Sequence, residues 1–239
     1  LNTTFYQQPV IDRMGSAINR SIESLSGFGF LSVTNGTNFV SRQILGEEIG
    51  GLYTPQYLGR QENGSPLIEG STSDVNLERA GNSLPTSDIG SYNRLVKGKW
   101  ELNFLLRGST GHSLLNVTRM IHENSPAFPS FENIVTSGSD PGLNQTVVSD
   151  LYVEDASFLR LNHLTISRDF SISSKSTLNV SLTGQNLFTL TGYEGIDPEV
   201  RYLDRNQSFE PYQALASGIA TRELYFPSRT YTLQVRISF

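Results

Sequence analysis

Three segments of the chain alternate apolar and polar residues in period two, which predicts β-strands with one apolar and one polar face. The C-terminal segment is the clearest, and its apolar positions are Tyr231, Leu233, Val235, Ile237 and Phe239. Residues 178–188 repeat the pattern, although Asn186 and Leu187 blur its end. Residues 100–107 repeat it with Leu105 as the one exception. The three segments therefore predict strands of one design.

Two less regular runs, residues 89–96 and 158–170, predict two further strands. In the second run the apolar parity changes, because Leu159 and Leu161 fall on one parity and Leu164, Ile166 and Phe170 fall on the other. A β-bulge inserts one residue and so exchanges the two faces of a strand. We therefore predict a bulge at Asn162-His163 that returns the apolar residues to one face.

Strand length and loop length distinguish a membrane barrel from a soluble sandwich, since alternation alone fits both. The runs cover about eight to eleven residues, close to the ~9 to 11 that cross a bilayer and longer than the ~5 or 6 of soluble strands. Connections at 97–99 and 171–176 are short, whereas those at 110–155 and 190–228 are long. This alternation is typical of an outer-membrane barrel, with short periplasmic turns, long extracellular loops and Phe239 at the periplasmic rim.

The predicted fold class is all-β, as part of a large antiparallel transmembrane β-barrel. Residues 1–85 predict one or two strands and an extracellular loop, with a possible strand at 27–33 and helical spacing between residues 10 and 25. Residues 86–239 predict the C-terminal barrel strands and two long extracellular loops. Seven strands are fewer than the ~8 of small barrels, and an open edge in lipid is costly. The remaining strands must come from another segment or another chain.

Composition excludes several other classes of protein. A formal charge of −5 argues against nucleic acid as a partner. The chain has no Cys, and His112, His122 and His163 lack metal-ligand spacing, so we predict neither a metal site nor a cofactor. No apolar run approaches the ~20 residues of a spanning helix. The start has no Met and no leader, which predicts a mature chain or a fragment.

Several short segments share the order and spacing of one known family. They are GEEIGGLY at 46–53, GNSLP at 81–85, the strand and glycine-asparagine segment at 100–119, VEDASFLRL at 153–161, QNLFTLTGYEGIDPEV at 185–200 and YFPSRTY at 225–231. With these segments, the chain from about residue 44 onward resembles the C-terminal part of the SusC/RagA-type TonB-dependent outer-membrane receptors. The acidic, glycine-bearing loop of many members is reduced here to residues 63–66, which removes support for an ion site there.

The resemblance implies a transporter and not an enzyme. It implies import of oligosaccharides or peptides across the outer membrane of a Gram-negative, Bacteroidetes-type bacterium. The implied partners are a SusD-like surface lipoprotein as a lid, outer-membrane lipid, the barrel-assembly machinery, and TonB. TonB would act through an N-terminal part that carries a plug domain and a coupling box, neither of which is found in this sequence.

Polar residues of the predicted strands are candidates for a lumen, because an Arg facing lipid at the midplane costs ~2 to 4 kcal/mol. The lumen-facing candidates are Glu101, Asn103, Arg107, Gln185, Gln234 and Arg236, and Arg160 shares their pattern. Candidates for loop or partner binding are Asn116, Arg119, Tyr193, Asp197, Glu199 and Tyr202. We interpret Asp197-Pro198-Glu199 as a structural loop clasp, since no nucleophile, base or metal ligand lies nearby in sequence to make a catalytic carboxylate pair.

The apolar positions of the C-terminal strand are also a candidate assembly signal. The assembly machinery could add Tyr231, Leu233, Val235, Ile237 and Phe239 as an edge strand by β-augmentation, although an ordinary terminal strand has the same pattern. Aromatic residues near the predicted strand ends fit a belt at the lipid headgroups, or core packing in a soluble sheet. They are Trp100, Phe170, Phe188, Tyr193, Tyr225, Phe226 and Tyr231.

Two other functions remain open. One is a SusC-like barrel that acts as a structural or assembly subunit of an envelope complex, which a missing plug and coupling box would favour. The other is a secreted β-sandwich binding module, which would be soluble without detergent.

Overall fold

The computed structural model describes residues 1–12, 40–42, 44, 46–70, 77–123, 140, 142–173, 176–199, 218–220 and 228–239. The described elements also include the helix α1 (Val117–His122) and a 3-10 turn at Asp150–Tyr152. The strands are β1 (Asn2–Phe5), β2 (Gly51–Tyr53), β3 (Gln56–Arg60), β4 (Pro66–Glu69), β5 (Arg79–Asn82), β6 (Ser87–Lys97), β7 (Trp100–Thr110), β8 (Ser113–Asn116), β9 (Val153–Asp155), β10 (Phe158–Ser171), β11 (Thr177–Thr191), β12 (Ile219–Ala220) and β13 (Thr230–Ser238). The possible strand at 27–33 lies outside the described residues.

The long strands form one antiparallel sheet, called the wall below. Among the described residues it has six strands in the order β1-β6-β7-β10-β11-β13. The short connections β6–β7 and β10–β11 lie at one end of the wall, the turn end, together with Ser238, which pairs with Thr177. The long excursions after β7 and β11 both leave from the opposite end, the cap end. The all-β fold and the alternation of short and long connections predicted from the sequence are confirmed.

The register of β10 shifts between Leu161 and His163 against both of its neighbours. Against β7, Asn162 is the extra residue, and it brings Leu161 and Leu164 to the same face, so the predicted bulge is confirmed. Against β11, the extra residue belongs to β11, between Gln185 and Phe188. In β11 the irregular position is Asn186, whose φ is +52°. Gly184 directs its missing Cβ towards the side chain of Leu187, so Leu187 covers the gap that the glycine leaves in the apolar face.

One face of the wall is apolar and uncovered. Leu233, Leu182, Ile166, Leu102 and Leu95 follow one another in register across the five strands β13, β11, β10, β7 and β6. Leu182 is 51% exposed and Leu233 68% exposed, whereas in a sandwich a second sheet would cover such residues. Of the described helices, none is long and apolar enough to cross a membrane.

The buried apolar core lies in the loops at the cap end, outside the wall. The described part of these loops, called the cap, comprises 40–42, 44, 46–70, 77–86, 111–123, 140, 142–157, 192–199 and 218–220. Its main cluster contains Val40, Leu52, Leu115, Val117, Met120, Val147, Val148, Tyr152 and Ile219. Short strands order these segments as the sheets β12-β8-β9, β2-β5 and β3-β4. The cap therefore has its own apolar core, and the cap lies at one end of a wall whose apolar face is uncovered.

Candidate functional site

The six residues predicted to face a lumen share the polar face of the wall. Glu101 of β7 pairs in register with Ser167 of β10, Ser167 pairs with Ser181 of β11, and Ser181 pairs with Gln234 of β13. Gln185 of β11 pairs with His163 of β10. Asn103, Arg107 and Arg236 lie at the same parity of their strands as these residues. This face is opposite the exposed aliphatic residues.

Two arginines lie directly opposite each other at the cap end of this face. Arg107 of β7 pairs in register with Arg160 of β10. Like charges at such positions repel each other and destabilise a sheet. Glu199 resolves the repulsion, because its carboxylate accepts two hydrogen bonds from Arg107 and one of 3.3 Å from Arg160 Nη1. Paired forks of this kind are the strongest and most directional ion pairs in proteins.

The carboxylate arrives on a loop that turns back from the end of β11. This loop, residues 192–199, is called the clasp below. Asp197 Oδ1 accepts a 2.6 Å hydrogen bond from Arg160 Nη2 and a 2.8 Å bond from the backbone N–H of Glu199, which fixes the turn around Pro198. His112 Nε2 lies 3.0 Å from the carbonyl oxygen of Pro198. Asp197 and Glu199 thus hold the clasp on the wall, as the structural interpretation of this motif predicted.

An aromatic ring lies against both arginines. The guanidinium carbon of Arg160 lies 5.3 Å from the ring centroid of Phe158, and that of Arg107 lies 6.0 Å from it. The ring of His112 meets Phe158 edge-on, with 6.2 Å between the centroids. These cation–π contacts keep the guanidinium planes in place, so the charges at the cap end are fixed in position.

The first half of the clasp docks into the cap. Tyr193 is buried with Leu114, Ala156 and Ala220, and burial raises the pKa of its phenol, with the charges of Glu154 and Asp197 adding to the effect. The backbone N–H of Glu194 donates a 2.8 Å hydrogen bond to Glu154 Oε2. One eight-residue loop therefore joins the cap through its beginning and the wall through its end.

A second charged cluster, centred on Arg119, lies inside the cap. Arg119 is 5% exposed and donates to Glu123 Oε1 at 2.7 Å and to Glu154 Oε1 at 2.9 Å. Glu194 Oε2 lies 3.8 Å from its Nη1. Asn116 begins the helix α1 by accepting a hydrogen bond from the Arg119 N–H, and it also donates to Glu154. Burial lowers the pKa of Arg119, but its bonds to Glu123 and Glu154 outweigh that effect and raise it.

The predicted loop candidates are therefore brought together, but mostly below the surface. Asn116, Arg119 and Tyr193 are buried, and Asp197 and Glu199 are engaged with the wall arginines. Tyr202 lies outside the described residues. Such side chains can influence a partner only through the loops that they hold in place.

Glu154, Glu123 and Phe158 belong to these clusters, although sequence reasoning did not select them as site residues. Glu154 and Phe158 lie within the segment VEDASFLRL at 153–161, which the sequence analysis used only for the family resemblance. Glu154 contacts Arg119 from 35 positions away, and Phe158 contacts Arg107 from about 50 positions away, and no local pattern reveals these two contacts. In the part of the chain that the structure describes, no group of three or more His, Asp or Glu side chains could hold a metal ion.

The hairpin of β3 and β4 presents apolar side chains on the surface of the cap. Leu58 is 51% exposed and Leu67 45% exposed. The opposite side of the hairpin is anchored, because Tyr57 donates to Asp140 at 2.8 Å through its hydroxyl and to Asp150 at 2.6 Å through its backbone N–H. Burial, and then the bond to Asp140, raise the pKa of Tyr57 to about 12. The exposed side is thus an apolar surface on an anchored support.

The chain is similar in sequence to a TonB-dependent receptor. It is 26% identical over 253 aligned positions to the TonB-dependent receptor P3 of Formosa agariphila, and the alignment covers 98% of this chain and 23% of that protein. No protein-family model matches the chain.

Solved structures share the fold. The RagAB peptide importer in its open-open state has a TM-score of 0.62 at 18% identity, over 88% of this chain and 25% of the other. Its closed-closed state has a TM-score of 0.60 at 17% identity, over 92% of this chain and 25% of the other. The chain therefore spans about a quarter of the length of the relatives it matches. Together, the sequence and structure comparisons confirm the resemblance to the SusC/RagA-type TonB-dependent receptors.

Proposed function

We propose that this chain forms the C-terminal wall and extracellular cap of a TonB-dependent outer-membrane importer for peptides or oligosaccharides. One observation carries the proposal: the wall exposes a continuous aliphatic face although the same chain builds a well-buried core in its cap. A chain that can bury apolar residues leaves them exposed over five strands only where another apolar phase covers them. Lipid is the covering that this proposal assigns.

The polar face would line the transport lumen. It carries hydrogen-bonding residues such as Asn103 and Gln185 along the strands and the ion-paired Arg107 and Arg160 at the cap end. Such a surface suits a hydrated path for a polar solute. The clasp would narrow the arginine end of that path, so its position would affect what passes.

The cap would carry the lid. RagAB is a peptide importer, and its likeness to this chain supports a SusD-like lipoprotein as the partner at this end. The β3–β4 hairpin, with Leu58 and Leu67 exposed on an anchored support, is the surface that we assign to this contact. The buried clusters around Arg119 and Glu199 would hold the cap in the shape that the lid recognises.

Two further partners would act on other parts of the protein. TonB would pull on the N-terminal part of the receptor, and the barrel-assembly machinery would recognise the exposed apolar row of β13. Phe239 is 96% exposed and extends this row beyond Ser238. Replacing Phe239 with Ser should therefore reduce the yield of assembled barrel, whereas Phe239→Trp should retain it.

The intact receptor gene provides the direct test of transport. Cells that carry it should import fluorescent peptides or oligosaccharides across the outer membrane only when TonB is present. The receptor should also co-purify with a lipoprotein. Uptake that is absent with every peptide and oligosaccharide tested, together with a stable envelope complex, would contradict an importer and favour the structural subunit. A receptor that is recovered in the soluble fraction would contradict the membrane assignment itself.

A further inference from the structure

Arg168 lies on the apolar face of the wall, near the turn end. Register places it opposite Trp100 of β7 on one side and Val180 of β11 on the other. The next residues of β10 on this face are Ile166 and Phe170, both more than a third exposed. A charged residue in these surroundings is costly unless it meets water, headgroups or an opposite charge.

Two aromatic rings hold the guanidinium group. Its central carbon lies 4.9 Å from the ring centroid of Trp100 and 4.8 Å from that of Phe170. Its Nε is buried and has no hydrogen-bond partner in the described structure. The rings therefore restrict the orientation of the guanidinium, and a buried donor without a partner needs an explanation such as an acceptor bound at this group.

The surrounding charge is positive. Lys97 of β6 pairs in register with Trp100, so Lys97 and Arg168 lie on either side of the indole in one row across the sheet. By register, these two are the only charged residues on the apolar face of the described wall. The nearest acid in sequence, Asp169, points to the polar face, where it accepts a 2.7 Å hydrogen bond from Asn179.

We propose that Arg168, Trp100, Phe170 and Lys97 form a binding site for the phosphate of an anionic phospholipid headgroup. A guanidinium fork matches two phosphate oxygens, and indole rings favour the headgroup boundary. A lipid fits better than a free phosphate ion because aliphatic residues flank the site, the exposed Ile166 and the half-buried Val180, and they would contact its acyl chains. This inference rests on the proposed membrane placement of the wall.

Native mass spectrometry of the intact receptor in detergent would test the site. The probes are phosphatidylglycerol, phosphatidylcholine with the same acyl chains, and inorganic phosphate as a competitor. Wild-type receptor should retain phosphatidylglycerol in preference to phosphatidylcholine, and Arg168→Gln should weaken phosphatidylglycerol binding by about tenfold, equivalent to about 1.4 kcal/mol. Arg168→Lys should retain an intermediate amount, because it keeps the charge but loses the fork.

The matched control is Arg94→Gln, since Arg94 lies on the polar face near the same end and pairs with Glu101. This control should retain phosphatidylglycerol as wild type does. Equal retention by wild type and Arg168→Gln would overturn the proposal, and so would equal binding of the two lipids. Complete displacement by millimolar phosphate would show a free-anion site instead of a lipid site.

The heat-modifiable mobility of each receptor variant separates this inference from the proposed function. A wild-type receptor that never assembles in the membrane would contradict the proposed function. A receptor that assembles normally but shows no dependence of lipid binding on Arg168 would contradict only the lipid site.

Discussion

Arg160 in β10 and Asp197 in the clasp are joined by a 2.6 Å hydrogen bond from Nη2 to Oδ1, across 37 residues of sequence. The bond connects the polar face of the wall to the loop whose other end lies in the core of the cap. Movement of the cap and the position of charges at the cap end are therefore coupled. The first prediction follows from the carboxylate that completes this connection.

Replacing Glu199 with Gln should loosen the clasp. Arg107 and Arg160 would then lie opposite each other without their shared carboxylate, and loss of charge-assisted hydrogen bonds destabilises by about 2 kcal/mol. Hydrogen–deuterium exchange of the purified receptor should show faster exchange at residues 192–199. Glu101→Gln is the control, because its partner Arg94 is exposed at the other end of the sheet. Unchanged exchange in Glu199→Gln would show that the ion pairs do not hold the clasp.

Gly108→Ala should separate β7 from β10 near the cap end. A Cβ at this position would lie 2.6 Å from the backbone carbonyl oxygen of Phe158, which cannot move aside without shifting the strand. Overpacking of this kind costs about 1 to 3 kcal/mol. Gly90→Ala is the matched control, since a Cβ there meets nothing within 4 Å. The temperature at which the barrel band converts to the unfolded band should fall only for Gly108→Ala, and an equal fall for both would contradict the steric explanation.

Leu182→Arg should reduce insertion into the outer membrane. The leucine lies on the exposed aliphatic face, where an arginine at the midplane costs ~2 to 4 kcal/mol. Gln185→Arg, three residues further along β11 on the polar face, should insert normally. The fraction of heat-modifiable receptor in isolated membranes measures the difference. Equal insertion of the two variants would contradict the assignment of the faces.

Arg119→Met should destabilise the cap. Glu123, Glu154 and Glu194 converge on the buried guanidinium, and removal of one partner from a buried charge cluster costs about 3 to 5 kcal/mol. Hydrogen exchange at residues 113–122 should accelerate. Arg60→Met removes a more exposed ion pair with Asp140 and should have a much smaller effect. Similar acceleration in both variants would point to general loosening of the cap instead of loss of the buried cluster.

The strands of the wall could be predicted because the polarity of neighbouring residues is enough to indicate each strand and its two faces. Each residue of β13 shows its face by its own polarity, and the parity change around Asn162 marks the bulge directly. The clasp could be interpreted in outline, since Asp197 and Glu199 carry charges that need partners. That Arg107 and Arg160 are those partners follows only from the register of β7 and β10.

The cap could not be predicted in the same way. Its core joins Val40, Leu115, Val148 and Ile219, which lie far apart in sequence and on short segments with no usable period. β12 has two residues, and its pairing with β8 is parallel. Arg168 was not selected from the sequence although it shares the parity of Ile166 and Phe170, because a charged residue is not expected on an apolar face.

The separation of the buried core from the wall has a practical consequence for how this molecule comes apart. Urea weakens the apolar packing of the cap. The backbone hydrogen bonds between the wall strands are stabilised by the surrounding lipid or detergent. A low concentration of urea should therefore unfold the cap while the strands of the wall stay paired. Removal of detergent should instead disrupt the wall first. A single melting temperature would therefore describe neither part.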